Sequence, residues 1–391
     1  MQMHKKERKE KSMKKLLKVM LAALMLCAMF GCNGEKKPEP QPTVETYDVV
    51  FLADLGSIND GGFNQFSYAG IVDYCKENNL TYTYLQPAAD SDDDRVAIFK
   101  QAADQYQAKV LVAVGFLWDG ALVKCIPDYQ DKKIIFIDAD DLNTVDLDYD
   151  GKSDGIPGKL GNTAMITFAE QDCGFLAGYA VVKDGYRNLA FFGGMAVPAV
   201  IRFGYGWVAG AEYAAKELGL EPGSIKMTYW YSGSFEATPE KATTVASWYE
   251  AGTEVVFSCG GTIVNSAITA CEDTANGKLV GVDIDESGKS ARIITSAMKS
   301  LENTVYNAVK AAFAGGDAWA GYTKALQTLG AKEQATTIAP TWDRFKSFGQ
   351  ADFDAIYSKL AGGLHDQLPT NVTYETPAQM ELTYVVVDYK N

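Results

Sequence analysis

The sequence predicts an α/β protein made of two doubly wound parallel-sheet lobes joined by a hinge. Three observations carry this expectation. From Thr46 onward, short apolar runs alternate with amphipathic stretches, the pattern of parallel strands covered by helices on both faces. The alternation breaks in an acidic, Gly-rich stretch at 138–161 and then restarts at similar length. Finally, the chain has 391 residues, 47% apolar and 22% charged, enough for two separate cores.

In the first layer, strands are expected at 49–53, 81–85, 110–114 and 134–137. Helices are expected at 63–78 and 95–107, with one more ending at Lys124. The second layer has strands at 165–168, 189–192, 225–230, 255–258 and 279–282. Its helices fall at 170–182 and 200–218, with two more ending at Ala251 and Asp273. A strand at 293–296 then leads into a helix at 298–313 that could return the chain to the first lobe. Residues 46–161 together with about 297–340 therefore form the expected first lobe, and 162–296 the second. Residues 341–391 form a C-terminal extension, with a helix at 352–360 and a late strand at 382–388, that the pattern assigns to neither lobe. In open α/β sheets ligands sit beyond the carboxyl ends of the strands, so two facing lobes would share one cleft.

The beginning of the chain has a different character. Its first eighteen residues hold eight Lys or Arg against Glu7 and Glu10, and the apolar run 19–31 follows. A basic stretch before an apolar run of this length reads as a signal peptide, 1–31, and is too short for a permanent membrane span. The run ends in Met29-Phe30-Gly31-Cys32. A small residue before cysteine resembles the lipobox of bacterial lipoproteins, which implies lipidation of Cys32, anchoring to the membrane through that lipid and a protein body on the outer face of the cytoplasmic membrane. Residues 32–45 carry Pro38, Pro40 and Pro42 among charges and polar groups, as expected of a flexible tether.

Composition excludes several functions. The formal charge of -14 argues against nucleic acid as a partner, which needs a basic face. The chain has two histidines, His4 in the signal segment and His365, so histidine-based triads and zinc clusters have little to draw on. No CxxC, GxxxxGK[ST] or GxGxxG occurs. Cys75, Cys125, Cys173, Cys259 and Cys271 are scattered and odd in number, as expected of small core residues. These absences favour binding over catalysis and imply no cofactor. One segment imitates a calcium loop: Asp146, Asp148, Asp150 and Asp154 fall at ligand spacing, but the twelfth position, where a glutamate should stand, is Pro157. A solvated acidic loop is the simpler reading.

The informative residues lie at the predicted strand ends. They are Asn59-Asp60-Gly61-Gly62-Phe63-Asn64-Gln65, Gly115-Phe116, Phe136-Ile137-Asp138, Gly174-Phe175-Leu176-Ala177-Gly178-Tyr179, Phe192-Gly193-Gly194, Gly260-Gly261, Gly281-Val282-Asp283-Ile284-Asp285 and Thr295-Ser296-Ala297-Met298-Lys299. In this order they resemble the basic membrane protein family, the purine-nucleoside-receptor-like lipoproteins of bacterial ABC importers. The resemblance covers about residues 49–309 and is not seen beyond Gly315. The family usually has Lys-Ser in place of Gly61-Gly62.

The resemblance implies a type I periplasmic-binding-protein fold with a purine nucleoside held in the cleft. Phe63 and Phe203 match the rings that sandwich the base, and Asp138 matches a carboxylate at the base edge. Asp283 and Lys299 match residues at the ribose hydroxyls, and Asn64, Gly260 and Gly261 are further candidates. It also implies a monomer that hands its ligand to the permease and ATPase subunits of an ABC transporter. Two other binding roles stay open, the same fold taking a sugar and a ligand-sensing surface receptor without transport. A nucleoside hydrolase is the enzymatic alternative.

Overall fold

The computed structural model describes residues 45–148, 150–370 and 376–390. The predicted signal segment, the tether before Glu45 and Cys32 lie outside the described residues.

Two parallel sheets organise the chain. The first contains β1 (Val49–Leu52), β2 (Tyr82–Leu85), β3 (Val110–Val114), β4 (Lys133–Ile137), β5 (Thr163–Phe168) and β11 (Gln327–Leu329), in the order β11-β5-β4-β3-β1-β2. The second contains β6 (Asn188–Gly193), β7 (Ile225–Tyr231), β8 (Val255–Cys259), β9 (Lys278–Asp283), β10 (Ile293–Lys299), β12 (Thr336–Ile338) and β13 (Val385–Lys390), in the order β12-β10-β9-β8-β6-β7-β13. Among the described residues only β12 runs antiparallel, against β10. Strands β1, β3, β5 and β8 are buried along their whole length, which explains why their sequences are continuous apolar runs rather than alternating ones. In each sheet the strand order reverses at one point, between β1 and β3 in the first and between β6 and β8 in the second. Ligand crevices of open α/β sheets form at such points.

Helices α1 (Phe63–Glu77), α2 (Asp92–Lys100) and α3 (Asp119–Cys125) follow β1, β2 and β3. Helix α1 starts without a capping side chain at Gly62; instead Asp60 accepts from the amides of Gly62, Asn64 and Gln65 at 2.8, 3.0 and 3.2 Å. In the second lobe α4 (Glu170–Lys183) and α5 (Pro198–Glu217) pack backbone to backbone. A Cβ on Gly174 would lie 2.2 Å from the Phe203 carbonyl oxygen, and one on Gly178 the same distance from that of Trp207. The glycines of Gly174-Phe175-Leu176-Ala177-Gly178 thus serve helix contact. Every residue of α4 except Lys183 is buried, so it is a helix without a polar face. Helices α6 (Pro239–Glu250) and α7 (Ile263–Glu272) cover the other side of this sheet.

The structure moves three sequence boundaries. Strand β5 pairs with β4 from Ile134↔Thr163 to Ile137↔Ile166, so it belongs to the first sheet and the second lobe begins after Phe168, not at residue 162. The apolar run reads the same in either sheet; pairing decides. Met298 and Lys299 extend β10, where Met298 pairs with Asp283, and the helix expected from Met298 starts later, as α8 (Leu301–Ala314). Helix α8 returns to the first lobe, where Gly70 of α1 lets the backbones meet. A short helix, α9 (Gly316–Tyr322), precedes β11. The chain therefore crosses between sheets at Ala169, at Ser300 and between β11 and β12, so the first lobe ends near Leu329 and not near residue 340, because β12 pairs with β10.

The C-terminal extension joins the second lobe. Helix α10 (Gln350–Lys359) contributes Ile356 to the second-lobe core, and β13 extends the sheet edge beside β7. Asp184, at the end of α4, accepts from the amides of Lys346, Ser347 and Phe348 at 3.0, 2.6 and 3.0 Å and fixes the start of the extension. Five cysteines, Cys75, Cys125, Cys173, Cys259 and Cys271, are buried free thiols.

Candidate functional site

The lobes meet around one ammonium group. Lys299 ends β10 of the second sheet, and only 2% of its side chain is exposed. Its Nζ lies 2.7 Å from Asp138 Oδ2, 3.3 Å from Asp283 Oδ1 and 3.5 Å from Glu170 Oε1. Asp138 directly follows β4 of the first sheet, and Asp283 ends β9 of the second. Both carboxylates sit on left-handed backbone, φ 54° at Asp138 and 65° at Asp283, a conformation that aspartate tolerates better than most residues and that recurs where function holds the chain. Glu170, the first residue of α4, is fully buried and also binds Arg202 Nε at 2.6 Å. Further lobe contacts agree with a closed arrangement. Phe116 of the first lobe packs on the second-lobe core, and Ile284 of the second packs on the first.

Charge in this cluster is imperfectly matched. Asp138 Oδ1, Asp283 Oδ1 and Glu170 Oε1 are buried without a hydrogen-bond partner. Burial raises the pKa of the Asp138 carboxyl, against the pull of Lys299, and Asp283 is raised for the same reason. Burial alone would lower the Lys299 ammonium, but Asp138, Asp283 and Glu170 outweigh it and hold it above the ordinary lysine value. The site thus keeps a fixed cation and offers acceptor oxygens to a ligand rich in hydroxyl or N–H donors.

Aromatic rings surround the same ammonium. Its Nζ lies 4.9 Å from the Phe63 ring centroid, 5.4 Å from Phe168 and 5.6 Å from Phe203. The rings differ in access. Phe63, opening α1, is half-buried, whereas Phe203 is 2% exposed and packs edge-on to Phe257 at 6.0 Å within the second-lobe core. A half-buried ring at the second sheet's reversal point is Phe235, in the loop after β7. A Cβ placed on Gly194, Gly260 or Gly261 would meet Phe235 at 2.3, 2.7 or 2.8 Å. Gly260 and Gly261 (φ 127° and 53°) therefore make room for this ring, a different role from direct backbone approach to a ligand. Lys241 Nζ holds the loop through Ser234 O, Ser234 Oγ and Glu236 O at 2.9, 2.7 and 2.8 Å.

Asn64 is 3% exposed, and its amide is committed within the first lobe. It accepts from the Asp54 amide at 3.0 Å and donates to Asp60 Oδ2 at 3.1 Å. It shapes the loop after β1. Beside it, Asp54 is raised from 3.8 to about 6, chiefly by burial, with Arg95 opposing and Asp90 and Asp138 adding to the rise. A carboxyl raised on folding is a source of stability below its folded value, and that stability is lost as pH rises through the interval from 3.8 to about 6. Asp54→Asn is accordingly expected to raise the urea midpoint at pH 7.5 and to flatten its decline between pH 4 and 6. Equal midpoints and slopes in the two proteins would contradict this.

The acidic loop resolves differently. Asp146, Asp148 and Asp154 lie close together, while Asp150 turns to Lys152 Nζ at 2.6 Å. The grouped carboxylates cap backbone amides: Asp146 Oδ2 accepts from Gly151, Asp148 Oδ1 from Asp150 and Asp154 Oδ2 from Leu147. These bonds fit the solvated-loop reading, and Asp150 does not join the group expected from spacing.

Sequence reasoning missed Glu170, Arg202, Phe168 and Phe235. The adjacent glycines Gly194 and Gly260-Gly261 at neighbouring strand ends were a usable sign that a large side chain packs there. Glu170 carried none, since an acid at a helix start is ordinary.

Two α/β lobes closing on polar groups and rings at their strand ends define the class of two-lobed solute-binding proteins. Similarity to solved structures agrees on the fold. An ABC transporter solute-binding protein from Aeropyrum pernix K1 matches with a TM-score of 0.65 at 20% identity, covering 82% of this chain and 91% of that one. One from Conexibacter woesei matches at 0.59 and 17%, covering 82% and 98%. The chain belongs to the Bmp family, whose model, described as ABC transporter substrate-binding protein PnrA-like, matches residues 47–360. The match runs past Gly315, where recognisable motifs end. Relatives include a lipoprotein of Pyrococcus horikoshii, 27% identical over 94% of this chain and 86% of its own. The ABC transporter nucleoside-binding protein BmpA of Lactococcus lactis is 27% identical over 68% and 72%. The family is one of substrate-binding proteins and not of enzymes.

Proposed function

We propose that this protein captures a purine nucleoside in the inter-lobe cleft and delivers it to an ABC permease and its ATPase. The observation that carries the reading is the Lys299 ammonium, shared by Asp138 of one lobe and Asp283 of the other, with carboxylate oxygens that lack a hydrogen-bond partner around it and Phe63 against it. A ribose diol supplies two O–H donors to a carboxylate and two oxygens to an ammonium. A flat base suits Phe63 on one side and Phe235, a half-buried second-lobe ring beside Gly194 and Gly260, on the other. The nucleoside-binding relative BmpA supports the ligand class. The lipoprotein relatives and the Gly31-Cys32 sequence support export and lipid anchoring at Cys32.

Asp54, Asp138, Glu170 and Asp283 outnumber Lys299, Arg202 and Arg95, so an added phosphate meets net repulsion. In titration calorimetry the protein is expected to bind at least one of inosine, guanosine and adenosine without releasing free base, and to bind the 5′-monophosphate at least tenfold more weakly. Binding of ribose alone would establish a sugar-binding protein, and released base an enzyme. Equal affinity for nucleoside and nucleotide would contradict the charge reading.

A further inference from the structure

The lobes meet a second time, through one loop on each side. The loop after β9 leaves the second sheet at Asp283 and touches the first lobe twice. Ile284 packs on the first-lobe core. Lys289 lies against Gly61, in the loop between β1 and α1: a Cβ on Gly61 would be 3.7 Å from both Cε and Nζ of the lysine. The second-lobe loop is fastened at several points. Glu286 is 3% exposed, and its Oε1 pairs with Lys289 Nζ at 2.6 Å. Its Oε2 accepts from the Val282 amide, and its own amide donates to Ser296 Oγ, both at 3.0 Å. Gly281 leaves room for this carboxylate, since a Cβ there would lie 2.6 Å from Glu286 Oε2. Farther along, Arg344 Nη1 donates to the carbonyls of Ser287, Ser290 and Ile293 at 3.0, 3.1 and 2.7 Å. All these anchors belong to the second lobe, so the lysine is oriented by its own lobe and meets the other with its ammonium end.

We propose that Lys289 is a positioning residue for ligand capture: a cation held ready on the second lobe that bolts the closed cleft at the Gly61 turn and sets how long ligand stays. Charge gives the first reason. The loops that meet here each carry an acid, Asp60 on one and Asp283 on the other. The Asp283 carboxyl, raised chiefly by burial, is raised further by Asp60, so the two repel across the lobes. An ammonium fixed on one loop and seated against the other offsets that repulsion only when the lobes are closed. Entropy gives the second reason. A free lysine loses rotamer freedom when a contact fixes it, but Glu286 has already fixed this one before the lobes meet. The contact exists in the closed arrangement and is absent while ligand enters an open cleft, so it acts on release more than on capture. It needs no touch on the ligand itself.

The inference rests on the cleft reading, and its test separates the two. Stopped-flow kinetics are measured with whichever of inosine, guanosine and adenosine binds most tightly. Lys289→Ala is expected to speed dissociation about fivefold and to leave association within about twofold. Because that change strands the buried Glu286 carboxylate, Lys289→Ala with Glu286→Gln is measured beside it and should release ligand equally fast. Gly61→Asp sets a carboxylate next to the ammonium, at a contact distance and a φ of 62° that aspartate accepts. It should slow dissociation about threefold in the natural background and not at all in Lys289→Ala. Unchanged dissociation in both lysine variants, or the same effect of Gly61→Asp in both backgrounds, would overturn the proposal. In parallel, spin labels on Lys76→Cys in α1 and Thr269→Cys in α7, both exposed positions, read lobe separation without any ligand. The closed, short-distance population should shrink in Lys289→Ala. If no nucleoside binds, the ligand reading fails and the label distances alone decide the bolt; identical distances with and without Lys289 would overturn it.

Discussion

Lys299→Met is expected to abolish nucleoside binding, with Kd weakened at least a hundredfold, and to destabilise the unliganded protein at pH 7.5. The ammonium is the shared counter-ion of Asp138, Asp283 and Glu170. Removing one partner of a buried ion pair leaves uncompensated charge and costs about 3–5 kcal/mol. Methionine nearly matches the length of the lysine stem, so lost charge rather than a large cavity dominates. The loss also has a pH signature. Without the ammonium, the Asp138 and Asp283 carboxyls, already raised by burial, rise further. They then bind protons more tightly folded than unfolded, and the variant gains stability toward low pH. Urea denaturation at pH 5.5 and 7.5 measures this, and the gap between variant and natural protein should narrow at the lower pH. A gap that stays constant would show that the ammonium does not neutralise these acids.

The second large effect separates Phe203, which the sequence placed against the base, from Phe235, which it did not single out. Phe203→Ala is expected to lower stability by about 3–5 kcal/mol, because a fully packed ring is replaced by a cavity. Phe235→Ala is expected to leave most stability intact and to weaken nucleoside affinity about tenfold, within the range of one base–ring stack. Phe203 packs edge-on to Phe257 and is 2% exposed, with the Lys299 ammonium 5.6 Å from its ring, while Phe235 rests on Gly194, Gly260 and Gly261 at the strand reversal. Thermal melts and isotherms on both variants decide the matter. Affinity lost in Phe203→Ala with stability retained would return the stacking role to Phe203.

Charge and strand–helix alternation were readable in advance, as were the residues Phe63, Asp138, Asp283 and Lys299 that the structure brings to one place. The reason is local: a buried parallel strand must be apolar along its length, and a residue just past its carboxyl end must face the crevice if the fold is doubly wound. That rule served Asp138 and Asp283, one at the end of each of two strands in different sheets.

Pairing and burial were decided only in three dimensions. The run at 163–168 suits either sheet, and its partner β4 alone assigns it to the first. Phe203 sits five residues past its helix start at Pro198, where half a turn of rotation separates crevice from core. Asn64 has an amide able to meet a ligand, yet Asp54 and Asp60 engage both ends of it. Sequence by itself determined which residues stand at strand ends, because the hydrophobic pattern has the period of its element. Tertiary structure determined which of them face ligand, since that depends on contacts from segments far along the chain: Phe235 filling the glycines, Glu170 reaching Lys299 and Lys289 lying against Gly61.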